Sequence, residues 1–324
     1  MDEIISLIDS INGAVGVVGS MNADYTVTTP RLPEPGETVT GGQLEILPGG
    51  KSGNQAAAAA RIGAKATIFG AVGDDSNADF LIGKLAEAGV DTSHIRHVAG
   101  ASGTTVITVD DHGENTIVYS PGSNAQVDVA YLETQKDALL ASSVLGLCLE
   151  SPIETVTAAA KLCHNAGIKV LLNDSPFQAE LPQELIDYCD ILLINEHEMA
   201  QLLAIHEPEN GDWLSADWRH IAAAMNEFGF REAIVTLGGS GSMVLSGDKS
   251  VKHIEAAKVP AKDTTGCGDA FMGTVLAGLA SGLPLQDCTA LASYVAGYAA
   301  TNYGAQASYG NSEQIRKYFI TTKQ

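Results

Sequence analysis

The sequence predicts an α/β fold in which helices cover both faces of a mostly parallel central sheet. Short apolar runs alternate with helical patterns along the chain. The runs are continuously apolar, which is typical of parallel strands buried on both sides. Hydrophobic residues make up 45% of the 324 residues, and 34 glycines allow many tight turns. Together these observations indicate a three-layer α/β/α sandwich.

The individual elements follow from the same patterns. Six apolar runs are predicted to be strands of the central sheet: residues 14–20, 65–73, 143–151, 168–174, 190–195 and 232–239. Four patterns between them are predicted to be helices: residues 55–64, 78–90, 153–167 and 220–230.

Two segments interrupt this alternation. Residues 22–48 combine Pro and Gly with alternating β-branched residues, and residues 103–121 contain two alternating runs around the turn DDHGEN. Both segments are predicted to form a small separate sheet that acts as a lid over the carboxyl ends of the parallel strands. Because no repeat or linker divides the chain, residues 1–324 are predicted to form a single domain.

Composition excludes several classes of partner. The formal net charge of −21 makes nucleic acid and anionic membranes unfavourable partners. No apolar stretch is long enough to span a bilayer, and the acidic start does not have the pattern of a signal peptide. The five cysteines lack CxxC spacing, which favours free thiols in a reducing cytosol.

The stretch DTTGCGD, residues 263–269, stands immediately before a helical run. The amides of Gly266, Cys267 and Gly268 can converge at the start of this helix, where its dipole adds positive charge. If Asp269 were merely a cap, alanine would serve equally well at both glycines. The pattern therefore leaves two interpretations open, a cap and a site for an anionic ligand.

Polar residues follow several predicted strands. Asn22 and Asp24 follow the first strand, and Glu150 ends the run VLGLCLE. Ligands of open α/β sheets bind at the carboxyl ends of strands, although Asn and Asp are equally common in ordinary turns. Asn195 and Glu198 share a face of the next helix, as a ligand pair or as a cap with an acidic first turn.

The sequence does not match either of two common nucleotide-binding signatures. The segment around GGKSGN, residues 49–54, lacks the first glycine of a Walker A motif, and the early glycines have GxxGxxG rather than GxGxxG spacing. A dinucleotide-binding dehydrogenase is therefore disfavoured. Asn54 is a candidate helix N-cap, and the preceding glycines permit close approach of a ligand or of another backbone segment.

Taken together, the motifs resemble those of the ribokinase-like (PfkB-type) family of sugar kinases. The resemblance extends from about residue 14 to residue 310. Its motifs occur in the family's order: GSMNAD, PEPGETV, GGKSGNQAAAAARIGA, VGDD, LAEAGVDT, LESP, NEHE, TLGGSG, DTTGCGDAF and GAQAS.

The resemblance implies ATP-dependent phosphorylation of a sugar's primary hydroxyl, with D-ribose giving D-ribose 5-phosphate as the leading reaction. A nucleoside kinase acting on a 5′-hydroxyl is the alternative within the same fold, and a non-catalytic sugar-binding regulator is the alternative from another class. The resemblance assigns Asp269 as the general base, and the amides of Gly266, Cys267 and Gly268 as the anion hole for the transferred phosphoryl group.

The resemblance also implies binding residues for the sugar, the nucleotide and two kinds of cation. The sugar would contact Asn22, Asp24, Gly50, Lys51, Asn54, Glu150 and Asp269. ATP and Mg²⁺ would be held near Asn195, Glu198, Thr236, Gly238, Gly241 and Gly268. A K⁺ site would involve Asp263, Thr265, Ala299, Asn302, Gly304 and Ser308.

The resemblance further implies a cytoplasmic homodimer that assembles through the lid. Four features depart from the family pattern, one of which is that GAQAS lacks the proline often found before its serine. Cys267 introduces a thiol that could be oxidised. Ser293 replaces a longer polar residue near the adenine, and Asp174 adds a carboxylate on the nucleotide side.

Overall fold

The computed structural model describes residues 2–248 and 250–321. Within these ranges the strands form two separate sheets. The strands are β1 Ala14–Val18, β2 Asn22–Thr29, β3 Glu45–Gly49, β4 Lys65–Val72, β5 Ile95–His97, β6 Gly103–Asp110, β7 Asn115–Ser120, β8 Val144–Leu147, β9 Lys169–Asn173, β10 Ile191–Asn195, β11 Glu232–Thr236, β12 Ser242–Leu245 and β13 Val251–Ile254.

The large sheet has the order β13-β12-β11-β10-β9-β8-β1-β4-β5. The six strands predicted from the sequence occupy its contiguous centre, from β11 to β4, and all pair in parallel. The edge strands were not predicted. The edges β5 and β13 have three and four residues. β12, which lies beside β13 and pairs antiparallel with β11, was also not predicted, because its buried run is only four residues long.

Helices cover both faces of this sheet and enclose two apolar cores, which confirms the predicted three layers. One core packs against α2 and α10, and the other packs against α6 and α9. The helices are α1 Asp2–Ser6, α2 Lys51–Arg61, α3 Ser76–Glu87, α4 Val129–Thr134, α5 Lys136–Leu139, α6 Ile153–Asn165, α7 Gln183–Asp187, α8 Glu196–Leu202, α9 Trp218–Phe228, α10 Cys267–Ala280, α11 Leu285–Ala300 and α12 Ser312–Thr321.

Helix α2 begins earlier than predicted. Its N-cap is Gly50, whose φ of 85° is readily available to glycine, and its first helical residue is Lys51. The candidate N-cap Asn54 therefore lies within the helix, and this prediction was wrong. As a result the side chain of Asn54 is free of a capping role and points toward α10, where it hydrogen-bonds Asp269.

The small sheet has the order β3-β2-β6-β7 and confirms the prediction that the two interrupting segments form a separate sheet. β2 pairs in parallel with β6, whereas the two outer pairings are antiparallel. Because β2 starts four residues after β1 ends, the small sheet begins at the carboxyl end of a central strand. Across the described ranges, every helix is too short or too polar to cross a bilayer.

Candidate active site

The start of α10 combines a backbone position that requires glycine with one that does not. Gly266 is the N-cap with φ 73°, and a Cβ there would lie 2.6 Å from the Cβ of Ala305. Glycine is therefore required at residue 266 by backbone and packing alone, and alanine would not serve there even in a simple cap, contrary to the expectation. A Cβ on Gly268, in contrast, would meet no atom within 4 Å. Neither backbone nor packing therefore requires glycine at residue 268, and its missing side chain leaves open space in front of the helix.

The amides at this helix start are not equivalent. The N–H of Cys267 donates to the carbonyl of Thr264 at 3.1 Å, so it is already engaged. In the part of the chain that the structure describes, no acceptor is found for the amides of Gly266, Gly268 and Asp269. The unpaired set thus differs from the predicted one, because Asp269 replaces Cys267. These amides lie at the positive end of a 14-residue helix, a favourable place for an anion.

Asp269 is buried in the first turn of α10 and is held by two side-chain amides of α2. Asn54 Nδ2 donates to its Oδ2 at 2.9 Å, and Gln55 Nε2 donates to its Oδ1 at 3.2 Å. Gln306 Nε2 in turn donates to Asn54 Oδ1 at 3.0 Å. Burial raises the pKa of Asp269, while the charge of Lys51 and the Asn54 hydrogen bond oppose this shift.

These contacts change the position of Asn54 in the predicted site. Both polar ends of its side chain are used, one by Asp269 and one by Gln306. Asn54 therefore orients the carboxylate in this structure, rather than presenting a free amide to a sugar. Gln55 and Gln306 were not singled out from the sequence, although each lies inside a motif that carries the family resemblance.

Lys51 brings positive charge to the same place. Burial favours its neutral form, but the carboxylates of Asp269 and Glu150 outweigh this effect and raise the pKa of Lys51. Lys51 therefore carries an ammonium group at neutral pH. It is the one basic residue of the cleft in front of α10 within the described chain. The cleft is lined by Lys51, Asn173, Ser175, Leu193, Ile194, Asn195, Glu198, Thr236, Gly266, Gly268 and Asp269.

The predicted sugar residues gather beside Asp269. Glu150 accepts hydrogen bonds from the Ser20 hydroxyl and, at 2.9 Å, from the Lys51 backbone N–H. Asp24 lies on β2 of the small sheet and not at the end of a central strand, as had been expected. Burial raises the pKa of Asp24 to about 6, with added contributions from the charges of Glu150 and Asp269. Three carboxylates thus lie close enough to influence one another.

Two further predicted sugar residues complete this group. Asn22 is buried and lies two residues before Asp24 on the same face of β2. Gly50 brings its backbone close to the same strand, since a Cβ there would lie 2.8 Å from the amide nitrogen of Asn22. The small sheet and the start of α2 therefore meet at this point.

The pair Asn195 and Glu198 forms a capping box at the start of α8. Asn195 Oδ1 accepts the Glu198 N–H at 2.8 Å, and Glu198 Oε2 accepts the Asn195 N–H at 2.9 Å. Burial raises the pKa of Glu198. The structural interpretation of this motif is confirmed, and both residues also line the cleft.

Thr236 ends β11 and also lines the cleft. The turn that follows is closed by the Leu237 N–H, which donates to the Gly241 carbonyl at 2.8 Å. Gly238 and Gly241 shape this turn but do not line the cleft itself. Sequence reasoning did not name Asn173, Ser175 and Leu193, which also line the cleft, although it noted Asp174, the residue between the first two.

The residues predicted to hold K⁺ form two hydrogen-bonded groups beside the start of α10. The Asp263 carboxylate accepts the amides of Thr265 at 2.9 Å and Gly304 at 2.7 Å. These bonds outweigh the effect of burial and lower the pKa of Asp263. The Ala299 carbonyl accepts the Asn302 N–H at 3.0 Å. The hydroxyl of Ser308, the sixth predicted residue, instead donates to the Ala305 carbonyl at 2.7 Å.

Cys267 is half-buried next to this loop. Burial raises the pKa of its thiol to about 11, and the charges of Asp263 and Asp269 act in the same direction. Because the thiolate is the reactive form, the expected susceptibility to oxidation is not supported.

An α/β/α sandwich with a small lid sheet, and a buried carboxylate at a glycine-rich helix start, together define a ribokinase-like carbohydrate kinase. Residues 13–311 match the pfkB family carbohydrate kinases, and the chain belongs to this family. The resemblance inferred from the sequence motifs is therefore confirmed.

Individual relatives agree with this assignment. The chain is 34% identical over 301 residues to the ribokinase of Schizosaccharomyces pombe, which covers 90% of this chain and 93% of that protein. It is 31% identical over 305 residues to the deoxyribokinase of Salmonella typhi, with 94% and 98% covered. Its fold is similar to that of Arabidopsis thaliana ribokinase complexed with ribose and ATP, with TM-score 0.84, 26% identity, and 94% and 98% covered.

Proposed function

We propose that this chain, acting as one kinase domain, transfers the γ-phosphoryl group of ATP to the 5-hydroxyl of D-ribose. The observation that carries the proposal is the buried carboxylate of Asp269 beside the unpaired amides of Gly266 and Gly268. The relatives named ribokinase, and the ribokinase complexed with ribose and ATP, support ribose as the sugar and ATP as the donor.

Asp269 acts as the general base. Its carboxylate accepts the proton of the sugar hydroxyl as the oxygen forms a bond to the γ-phosphorus and ADP leaves. The amides of Asn54 and Gln55 hold the carboxylate in place, and burial makes it a better proton acceptor than an exposed aspartate. A base within this family needs to be fixed, because phosphoryl transfer depends mainly on positioning.

The start of α10 stabilises the charge on the transferred group. The free amides of Gly266, Gly268 and Asp269, together with the helix dipole, favour the negative oxygens of the phosphoryl group. Lys51 adds a full positive charge in the same cleft. This assigns Lys51 to the phosphate as well as to the edge of the sugar pocket.

The sugar binds between Asp24, Glu150 and Asp269. Carboxylates only accept hydrogen bonds and sugar hydroxyls readily donate them, so the group suits a polyhydroxylated ligand. Asn22 adds an amide to this set, and β2 and β6 of the lid sheet cover it.

Mg²⁺ suits the Glu198 side of the cleft. Glu198 uses one carboxylate oxygen to accept the Asn195 N–H, which leaves the other for a water molecule of a hydrated ion. Mg²⁺ keeps several waters and is held largely through substrate phosphates, so one carboxylate at the cleft wall is sufficient. Bound there, the ion would neutralise phosphate charge and orient ATP.

K⁺ suits the loop beside the anion hole. The predicted set contains a deprotonated carboxylate, Asp263, and several backbone carbonyls, and carbonyl oxygens are favourable ligands for K⁺. Asp263 is bonded to the amide of Thr265, immediately before Gly266. A cation held there would stiffen the loop that presents the anion hole.

The lid is proposed to join two copies of the chain. Val106 and Val118 are paired across β6 and β7, yet they are 52% and 67% exposed. Ile117, on the opposite face of the same hairpin, is 58% exposed. An apolar sheet face of this kind favours association.

All five cysteines are free, which supports a reducing compartment such as the cytosol.

A coupled ADP-release assay tests the reaction. The purified chain is supplied with ATP, Mg²⁺ and D-ribose, 2-deoxy-D-ribose, D-fructose or adenosine, in K⁺ or Na⁺ buffer. The highest kcat/KM is expected with D-ribose. A preference for 2-deoxy-D-ribose would move the assignment toward the Salmonella relative, and a preference for adenosine would make the chain a nucleoside kinase. No turnover with any of them would reject the proposal.

A further inference from the structure

Asn124 is a buried side chain that connects the central sheet to the lid. It lies in a 3-10 helix, Gly122–Gln126, that follows β7. Its Oδ1 accepts the Met21 N–H at 3.0 Å. Its Nδ2 donates to Asn22 Oδ1 at 2.7 Å, and to the Met21 carbonyl and the Tyr119 hydroxyl at 3.3 Å each. These contacts place it against the residues that lead from β1 into β2.

The backbone determines the orientation of both amide side chains. An N–H of the main chain can only donate, so the oxygen of Asn124 must face Met21. The nitrogen of Asn124 then faces Asn22, and Asn22 must present its own oxygen in return. The nitrogen of Asn22 is left over. Within the described chain no acceptor is found for this nitrogen, although Asn22 as a whole is buried.

Gly103 shows how closely this pair is packed. A Cβ on Gly103 would lie 2.1 Å from Asn124 Nδ2 and 2.4 Å from Asn22 Oδ1. The lid strand β6 therefore presses its bare backbone against the two amides. This packing restricts the side chains to the observed arrangement.

The proposed sugar site has a use for the remaining donor. Its carboxylates, Asp24, Glu150 and Asp269, can only accept hydrogen bonds. A hydroxyl has one proton, so a hydroxyl that donates to Asp24 can gain a second strong bond only from a donor. Asn22 lies on the same face of β2 as Asp24 and has such a donor in its free Nδ2.

We propose that Asn124 is a positioning residue that sets the hydrogen-bond polarity of the sugar site by holding Asn22 as a donor. The inference rests on the proposed function, because it assumes that a sugar hydroxyl meets Asn22 beside Asp24. This role accounts for Asn124, a buried asparagine that lies outside the reacting groups. If the side-chain amide of Asn22 were flipped, its oxygen would face the hydroxyl. The hydroxyl would then meet two acceptors, Asn22 and Asp24, and could donate its single proton to only one of them.

The variant Asn124→Asp tests this polarity. At a pH at which the new carboxylate is ionised, both of its oxygens can only accept, so Asn22 turns its nitrogen toward it and its oxygen toward the sugar. KM for D-ribose is expected to rise by about 10- to 100-fold, the effect of one unsatisfied polar contact, while kcat and KM for ATP stay within about twofold. An unchanged KM for D-ribose in a folded variant would overturn the proposal.

Ser123→Ala is the matched control. The Ser123 hydroxyl is buried in the same turn and donates to the Ala71 carbonyl at 2.8 Å. Its loss is expected to lower thermal stability and to leave KM for D-ribose within about twofold, because no amide is reoriented. An equal rise of KM in both variants would show that Asn124 acts only through general stability.

Deoxy sugars identify the hydroxyl concerned. In the wild-type protein, removing the hydroxyl that Asn22 contacts, tested with 2-deoxy- and 3-deoxy-D-ribose, is expected to raise KM. The same removal is expected to have a smaller effect in Asn124→Asp, where that hydroxyl is already poorly satisfied. If removal of each hydroxyl raised KM by the same factor in the wild type and in Asn124→Asp, the proposal would be contradicted.

The orientation can also be measured without turnover. Side-chain amide protons of Asn22, assigned by their loss in Asn22→Asp, are expected to exchange faster in the sugar-free wild type, where Nδ2 has no acceptor in the described chain, than in Asn124→Asp, where Nδ2 is hydrogen-bonded. Exchange that is no faster in the wild type than in Asn124→Asp would overturn the proposal. If the wild type phosphorylates no sugar, the proposed function fails, and this measurement still decides the orientation of Asn22.

Discussion

Asn54 Nδ2 donates to Asp269 Oδ2 at 2.9 Å, which joins α2 to the first turn of α10 across 215 positions of sequence. The carboxylate is thereby held by a neighbouring helix and not by its own turn. A base fixed in this way keeps its orientation whether or not a substrate is bound. The contact therefore links the packing of two central helices to the proposed chemistry.

Replacing Asp269 with asparagine is expected to remove the general base. The side chain keeps its size but cannot accept the hydroxyl proton, so kcat should fall by about 10²- to 10⁴-fold. ATP binding, measured by calorimetry, should be nearly unchanged. Turnover close to that of the wild type would show that another group takes the proton.

The two glycines of the anion hole form a matched pair of variants. Gly268→Ala places a methyl group in open space, so stability should change little while kcat falls by about 10²-fold as the phosphoryl position is obstructed. Gly266→Ala should in addition lower the melting temperature, because of its φ of 73° and its contact with Ala305. Wild-type kcat in Gly268→Ala would place the phosphoryl group elsewhere.

The pH profile should respond to Asn54. Its hydrogen bond lowers the pKa of Asp269 against the upward effect of burial. In Asn54→Leu this pKa should rise further, so the base stays protonated to higher pH and the acid limb of kcat moves upward. Gln306→Met keeps the bond to Asp269 and should move the limb less. If the acid limb moved equally in both variants, or moved to lower pH in Asn54→Leu, it would not report the ionisation of Asp269.

Asp174 should make folding stability depend on pH. It is fully buried, and Oδ2 has no partner in the described chain. Burial raises its pKa from 3.8 to about 7, and the charge of Glu198 adds to this. The folded state therefore retains a proton that the unfolded chain has lost, and stability decreases as pH rises from about 4 through about 7.

Comparison with Asp174→Asn isolates this effect, because the amide cannot ionise. Relative to the variant, the wild type should lose on the order of 2–4 kcal/mol of unfolding free energy between pH 4 and pH 8 in urea titrations. Asp91→Asn is the control, since hydrogen bonds from Ser93 lower the pKa of this exposed carboxylate. Its smaller dependence should have the opposite sign. If the difference in unfolding free energy between the wild type and Asp174→Asn stayed constant with pH, Asp174 would not titrate in this range.

Turnover is expected to be faster in K⁺ than in Na⁺ at equal ionic strength. The oxygens around Asp263 would hold the larger ion and steady the loop before Gly266. The melting temperature should follow the same order, which provides a measurement independent of activity. Equal rates and equal melting temperatures in both salts would remove the role proposed for this loop.

The central architecture could be predicted from local pattern alone. Six buried parallel strands and the helices between them carry long apolar runs, and such runs report burial directly. The outer strands β5, β12 and β13 could not be found in this way, because each has only three or four residues, too few to show a period. The lid was recognised because its two segments break the alternation of strands and helices.

The sequence by itself determined the fold class, the family and the motif that carries Asp269, since each depends on residues close together in the chain. Only the tertiary structure decided which atoms meet. It turned Asn54 toward Asp269, and it brought Gln306 and Asn124 into contact with site residues. Hydrogen-bond partners far apart in sequence depend on the packing angles of helices and strands, and no local pattern encodes those angles.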